Sequence, residues 1–260
     1  MHPHLFQFGH LVLPTYGVLM ALGGMLGLLV CVRLARLLSL DTDKIWNLAL
    51  LALASGIAVA RLLTVAVHWS RNGARALGMS MNNEPGPLLG GIAAAAAASW
   101  LYARRAHLPM RRSADAFAPA LALGSSVASI ACLEAGCDYG TPTHAPWAIV
   151  FTSRFCAPGT PLGVLLHPTQ IYASAVQFGL FVLLLRLLYR PHRDGEVMGA
   201  WLFLSGVSNY FLTFLRGDTS QNELPGGWLT LTQLAAVAMV ISGGLLWLRR
   251  RPVFEAHHAG

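Results

Sequence analysis

Long apolar segments alternate with short polar ones along the chain. A helix needs about 20 residues to cross a bilayer, and each apolar segment has that length or nearly so. The apolar segments cover residues 11–38, 45–69, 87–102, 116–133, 168–189, 198–215 and 229–248. This pattern predicts an all-α, polytopic membrane protein with seven transmembrane helices, in which residues 1–260 form a single integral membrane domain.

The composition agrees with a membrane protein. Of the 260 residues, 55% are hydrophobic and 11% are charged, whereas soluble domains contain roughly 25% charged residues. The net charge of +7 would suit nucleic-acid binding, but the arginines fall in short clusters between apolar segments. We therefore expect no nucleic-acid partner, and the pattern indicates no particular oligomeric state.

The basic residues also predict the orientation. Thirteen of the 18 Lys and Arg residues fall in alternate connections or in the segment ends next to them, and four fall in the other connections. Cytoplasmic loops carry the excess of basic residues, so the N-terminus is predicted outside and the C-terminus in the cytoplasm. The long loops, at residues 70–86, 134–167 and 216–228, then lie outside, where we expect function-bearing residues.

A polar block, His167-Pro168-Thr169-Gln170-Ile171-Tyr172, opens the fifth apolar segment. One interpretation is a helix start, because proline suits the first turn and Gln170 suits a capping box. The other is chemistry at the membrane boundary, because histidine moves protons near neutral pH. Capping alone requires neither His167 nor Tyr172, which favours chemistry.

Two arginines are candidates for holding an anion. Arg61 lies inside the second segment, where an arginine usually has an anionic partner, and a phosphate matches its guanidinium. Snorkelling to the outer interface is the alternative. Arg216 with Gly217 either ends a helix or contacts a lipid headgroup. Arg61, being inside the span, is expected to be the less screened arginine.

Glycines, a tyrosine and the cysteines leave alternatives open. Gly90-Gly91 allows close helix packing or close approach of a ligand, and Tyr16 is ordinarily an interface anchor. The cysteines are Cys31, Cys132, Cys137 and Cys156. A disulfide of Cys156 with Cys137 or Cys132 is an option on an oxidising outer face. Their spacing does not fit zinc, and no nucleotide or cofactor motif is found, so neither metal nor cofactor is expected.

Taken in order, these pieces resemble the bacterial prolipoprotein diacylglyceryl transferases. The resemblance covers most of the chain and rests on the following residues: Tyr16-Gly17, Arg61, Gly90-Gly91, Gly136, Tyr139-Gly140, the block at 167–172, Gly199, Phe214-Leu215-Arg216-Gly217-Asp218 and Gln233. It implies a seven-span enzyme of the bacterial inner membrane. Its substrates would be phosphatidylglycerol and secreted prolipoproteins, whose lipobox cysteine receives the diacylglyceryl group.

The resemblance implies roles for individual residues. His167, Tyr16 and Gln170 would be catalytic, with His167 assisting proton transfer. Arg61, Arg216, Gly90, Gly91 and Tyr139 would contribute to substrate binding, the arginines by holding phosphate. The chain departs from the family pattern at Leu89 (usually His), Ser129 (Arg), Cys132 (Asn), Ala173 (Glu), Asn209 (Arg) and Thr213 (Glu). A related transferase with another acceptor and a non-catalytic lipid-binding protein are the alternatives.

Overall fold

The computed structural model describes residues 4–8, 11–73, 85–218, 230–248 and 253–254. Within these ranges the chain is mostly helical. Its helices are α1 (Thr15–Leu37), α2 (Thr42–Asn72), α3 (Pro85–Arg105), α4 (Met110–Ala135), α5 (Thr169–Leu188), α6 (Glu196–Thr213) and α7 (Leu231–Leu248). The first five are long and apolar enough to cross a membrane. The polytopic character is thereby confirmed.

Short strand pairs accompany the helices, although the sequence pattern predicted none. The strands are β1 (His4–Phe8), β2 (Leu11–Pro14), β3 (Ile149–Val150), β4 (Leu165–Leu166), β5 (His192–Arg193) and β6 (Val253–Phe254). They pair antiparallel as β1–β2, β3–β4 and β5–β6. Residues 11–14 were predicted to be helical and are strand β2 instead. Pro14 explains this, because a proline disfavours helical conformation in the preceding residue.

Local chemistry sets the helix ends. The Asp41 side chain accepts hydrogen bonds from the backbone N–H groups of Asp43 and Lys44 and so caps the N-terminus of α2. Gly136 ends α4 in the left-handed conformation, with φ of 78°. The N–H groups of Gly136 and Cys137 reach back to the carbonyls of Leu133 and Cys132. This is a Schellman motif, and it fixes the direction in which the chain leaves α4.

Small residues let neighbouring helices approach closely. The main pairs are α1 with α4, α2 with α3, α4 with α5, and α6 with α7. A Cβ atom added to Gly206 on α6 would lie 2.7 Å from the Ala236 carbonyl oxygen on α7. One added to Gly91 on α3 would lie 2.7 Å from the Gly56 carbonyl oxygen on α2. Close packing is therefore the role that the structure gives Gly91.

The buried apolar core lies at one end of the helices. It is formed where α1, α3 and α5 end and where α2, α4 and α6 begin, by residues such as Leu38, Ile45, Ala116, Leu184 and Val197. At the other end, α4 and α6 finish and α5 and α7 start. The packing that holds the bundle is thus separated from the end that carries the polar sequence block.

Candidate functional site

A cavity of about 270 Å³ opens at the end opposite the core. Helices α3 to α7 and the loops after α4 and α6 all contribute to its wall. The lining residues are Leu88, Leu89, Ile92, Ser129, Cys132, Asp138, Thr169, Gln170, Ala173, Asn209, Leu212, Thr213, Arg216, Thr232, Ala235, Ala236 and Met239. One part of the wall is aliphatic and another is polar and charged, which suits an amphipathic ligand.

Asp138 is the acidic group of the cavity wall, and the surrounding chain fixes its position. It follows the Schellman motif and has a left-handed backbone with φ of 56°, a conformation that is uncommon outside glycine but enriched in aspartate and asparagine. The Thr169 hydroxyl donates a hydrogen bond to the Asp138 carbonyl at 2.6 Å. The Gln170 amide donates to the Cys137 carbonyl at 2.7 Å. The first turn of α5 therefore holds the loop in this conformation.

Those contacts test the capping role of Gln170, which is one part of the helix-start interpretation; α5 does begin at Thr169, directly after Pro168. A capping box would direct the Gln170 side chain to the backbone before its own helix, and α5 has no side-chain cap at its N-terminus. Gln170 is instead 1% exposed and bound to the loop after α4. The sequence interpretation of Gln170 as a capping residue is wrong, and its position in the cavity wall is set by the neighbouring loop.

Arg216 is clamped by two carboxylates. Its Nε and Nη2 atoms donate to Asp218 at 3.0 and 2.8 Å, and Nη2 also donates to Asp138 Oδ1. Burial lowers the pKa of the Arg216 guanidinium, but the bonds to Asp218 and Asp138 outweigh this and leave the pKa raised. The guanidinium therefore stays charged and is held in one orientation beside Asp138.

The loop after α4, the loop after α6 and the residues just before α5 pack closely together next to Arg216. Gly140 forms a β-bridge with Arg216, and a Cβ on Gly140 would collide with the backbone of His167. A Cβ on Gly217 would lie 2.8 Å from the Gly140 carbonyl oxygen. Helix α6 already ends at Thr213, so the interpretation of Arg216 and Gly217 as a helix end is wrong. Gly217 serves close packing of loops instead.

His167 lies next to the cavity wall and not in it. Its Nδ1 atom is 3.4 Å from the Tyr172 hydroxyl, which accepts a hydrogen bond from Trp147 Nε1 at 2.6 Å. The His167 backbone N–H donates to the Thr141 carbonyl. His167 therefore belongs to a polar cluster of the outer loop and the first turn of α5, just before the lining residue Thr169.

Other predicted site residues fall outside the cavity wall. Arg61 lies mid-way along α2, is partly buried and is not in the wall. Gly90 and Gly91 pack α3 against α2, where a Cβ on Gly90 would collide with Leu63. Tyr16, in the first turn of α1, is within electrostatic range of Asp138.

Tyr139 stands beside the acidic clamp, where its ring packs against Gly217. Burial, followed by the charge of Asp218, raises the pKa of the Tyr139 hydroxyl.

The expected disulfide is absent, because all four cysteines are free thiols. The Cys137 thiol donates to the Cys132 carbonyl at 3.6 Å. Cys156 lies instead against the backbone of Gly136, and burial raises the pKa of its thiol. Within the described ranges, no group of three His, Cys, Asp or Glu side chains could hold a metal ion.

The departures from the family pattern are not scattered. Their positions, Leu89, Ser129, Cys132, Ala173, Asn209 and Thr213, all line the cavity. The replacements are neutral, whereas the family pattern has His, Arg, Asn, Glu, Arg and Glu there. In the described part of the wall, Asp138 and Arg216 are the charged residues that remain.

Sequence reasoning missed Asp138, Asp218 and Thr169 as site residues. Asp138 follows a glycine and a cysteine in a polar loop, and Asp218 lies two residues after Arg216. Each of these signals is weak alone. Their importance follows from a contact between loops that are distant in sequence, which no local pattern encodes.

Comparisons with known proteins show which proteins the chain is similar to. The family model described as prolipoprotein diacylglyceryl transferase matches residues 3–249. Proteins named phosphatidylglycerol–prolipoprotein diacylglyceryl transferase are similar along nearly their whole length. The one from Finegoldia magna is 31% identical over 90% of both chains. The one from Clostridium tetani is 28% identical over 94% of this chain and 95% of its own.

Proposed function

Because the chain belongs to the prolipoprotein diacylglyceryl transferase family, we propose that it catalyses the reaction for which its relatives are named. It transfers the diacylglyceryl group of phosphatidylglycerol to the lipobox cysteine of a secreted prolipoprotein. The observation that carries the proposal is the cavity, which combines an aliphatic wall with a fixed arginine and hydrogen-bonding groups at one side. These features suit acyl chains and a phosphate headgroup.

The reaction breaks one bond and forms one. The thiol of the acceptor loses its proton, and its sulfur attacks the glyceryl carbon that carries the phosphate. The C–O bond breaks with its electron pair on the departing glycerol phosphate, and a thioether forms. The site must therefore accept a proton and stabilise negative charge on the leaving group.

The cavity residues share these two roles. Arg216 binds the phosphate and stabilises the charge that develops on it, because its charge is permanent and its orientation fixed. Gln170 positions the loop that carries Asp138. His167 takes the thiol proton as the acceptor arrives from the outer face, next to the first turn of α5.

The remaining predicted residues act around this centre. Tyr16 orients lipid or peptide at the outer edge of α1, and Tyr139 supports the loops that hold Arg216. Arg61 contributes a second cation for lipid phosphate on α2. Gly90 and Gly91 contribute by setting the position of α3, whose next turn includes the lining residue Ile92.

The same proposal includes the membrane arrangement. The seven helices cross the bacterial inner membrane as one membrane domain, with the N-terminus outside and the C-terminus in the cytoplasm. The basic residues support this orientation, since most of them fall in the connections assigned to the cytoplasm. The cavity then opens towards the outer face, where secreted precursors arrive.

Transfer by the purified protein tests the proposal. The protein in phosphatidylglycerol nanodiscs is incubated with a lipobox peptide, and mass spectrometry follows the added diacylglyceryl mass while glycerol phosphate is assayed. Arg216→Ala should lower transfer strongly, and His167→Ala should lower turnover with little change in lipid binding. Arg154→Ala is the matched control, because Arg154 is exposed and outside the cavity wall.

Absence of transfer by the wild-type protein, under conditions in which the Finegoldia magna relative is active, would overturn the proposal. Lipid binding in that case would favour a second candidate, a non-catalytic lipid-binding protein on the same scaffold. The observation behind that candidate is the loss of charged residues from the cavity wall at positions such as Ser129, Asn209 and Thr213.

A further inference from the structure

Arg216 lines the cavity, and its guanidinium has unused hydrogen-bond donors. An arginine has five N–H donors, and the bonds to Asp218 and Asp138 use those on Nε and Nη2. Nη1 has no hydrogen-bond partner among the described residues. The buried side-chain atoms that lack a partner there are Ser113 Oγ and Trp201 Nε1, so Nη1 is accessible. Its two N–H groups are open to a ligand.

An unused acceptor lies beside these donors. Asp138 binds Arg216 through Oδ1, and in the described part of the chain its Oδ2 atom accepts no hydrogen bond. Thr169 and Gln170 hold the backbone on either side of this residue, so the carboxylate is fixed before any ligand arrives. Pre-organised groups bind without the cost of ordering them.

A donor pair next to a fixed carboxylate oxygen matches one kind of ligand. An anion satisfies Nη1, and an O–H group on the same molecule satisfies Oδ2. A phosphodiester whose headgroup carries hydroxyls has both. A headgroup without hydroxyls would leave the Oδ2 carboxylate oxygen desolvated and unpaired, which is costly.

We propose that Asp138 Oδ2 and Arg216 Nη1 form a headgroup subsite that selects a hydroxyl-bearing phosphodiester lipid. The phosphate oxygens accept from Nη1, and a headgroup hydroxyl donates to Oδ2. This inference rests on the proposed function and adds to it Asp138 as the residue that selects the headgroup by accepting a hydrogen bond from its hydroxyl. Asp218 has a different role, because it orients Arg216 from the far side and makes both of its bonds to the guanidinium.

The test compares two donors that differ only in hydroxyls. Short-chain phosphatidylglycerol and phosphatidylpropanol have the same phosphodiester charge, but the propanol headgroup has no free O–H. Binding of each lipid to the purified protein is measured by displacement of a fluorescent phosphatidylglycerol, and transfer to a lipobox peptide is measured separately. The binding ratio is the affinity for phosphatidylglycerol divided by the affinity for phosphatidylpropanol. It measures the contribution of the headgroup hydroxyls even when transfer is slow.

The wild-type protein should prefer phosphatidylglycerol roughly ten- to hundredfold, the range for a hydrogen bond to a charged group. Asp138→Ala should bring the ratio close to one. Asp218→Ala should weaken binding of both lipids and leave the ratio unchanged, because it loosens Arg216 without removing Oδ2. Should Asp138→Ala fail to fold, Asp138→Asn takes its place and should lower the ratio.

A wild-type ratio near one overturns the subsite, as does a ratio that survives both Asp138 substitutions. Preference for phosphatidylethanolamine over phosphatidylglycerol also overturns it, since the Asp138 carboxylate would then form an ion pair with an ammonium group. Failure of transfer alone counts against the proposed function and leaves the binding ratio to decide the subsite. The two failures are therefore distinguishable.

Discussion

Arg216 donates a hydrogen bond to Asp138 across 78 residues of sequence. The bond joins the loop after α4 to the loop after α6, next to the β-bridge between Gly140 and Arg216. It brings a cation and an anion to the wall of one cavity, with Asp218 completing the clamp. The charged chemistry of the candidate site therefore depends on contact between two loops, and substitutions that separate them should affect both residues together.

The two predicted phosphate-binding arginines should differ in importance. From the sequence, Arg61 was expected to be the less screened arginine because it lies inside a span. In the structure Arg216 lines the cavity and Arg61 does not, so we expect Arg216 to contribute more to phosphate binding. Arg216→Ala should weaken binding of phosphatidylglycerol roughly ten- to hundredfold, and Arg61→Ala less. Lipid binding to the purified variants measures this, and a larger effect of Arg61→Ala would contradict it.

Gly140→Ala should destabilise the loop junction. The added methyl group would collide with the backbone of His167, and overpacking of this kind costs about 1–3 kcal/mol. We expect a lower unfolding temperature in detergent and lower transfer. Gly179→Ala is the control, because a Cβ there meets nothing within 4 Å. Equal unfolding temperatures for both variants would contradict this prediction and would show that the loops can move apart to accommodate the methyl group.

Gln170→Ala should lower both stability and transfer. The substitution leaves the buried Cys137 carbonyl without its side-chain donor, a loss of about 1–3 kcal/mol. It also releases the loop that holds Asp138. Ser129→Ala also changes the cavity wall but removes only a hydroxyl that bonds within its own helix, so its effect should be small. Similar effects of the two substitutions on transfer would refute the positioning role.

Restoring a charged pair to α6 should raise transfer. Asn209 and Thr213 are four residues apart and line the cavity together, so an arginine and a glutamate there can form an ion pair. The double variant Asn209→Arg with Thr213→Glu should turn over faster than the wild type in the peptide assay. Asn209→Glu with Thr213→Arg has the same composition in reverse order and should not. No gain in rate would mean that the neutral wall is already adapted to its substrate.

The orientation predicts the location of the C-terminus. A C-terminal reporter that works only in the cytoplasm should be active, because thirteen basic residues fall in or next to the connections on that side and four fall in those on the other. Labelling of a cysteine introduced at His144, in the exposed loop after α4, with an impermeant reagent is the complementary measurement. Labelling only after the membrane is opened would mean that this loop lies in the cytoplasm. That result would contradict both the predicted orientation and a cavity that opens to the outer face.

The apolar pattern predicted the helices well because burial in lipid requires a continuous apolar segment, which is a local property. It placed residues 11–14 in a helix because it did not weigh the effect of Pro14 on the residue before it. Gln170 and Arg216 were found because polar groups at a membrane boundary are conspicuous. Asp138 and Thr169 were missed because their value comes from hydrogen bonds between loops, and polar residues are ordinary in loops.

The separation of the apolar core from the cavity has an evolutionary consequence. Leu38, Ile45 and Leu184 hold the helices together at one end, while the departures from the family pattern lie at the other. Changes at wall positions such as Ser129 and Asn209 leave the core contacts intact, so selection can alter substrate preference there without disturbing the packing that holds the helices together. Gln170 is the exception, because this wall residue also holds the loop after α4.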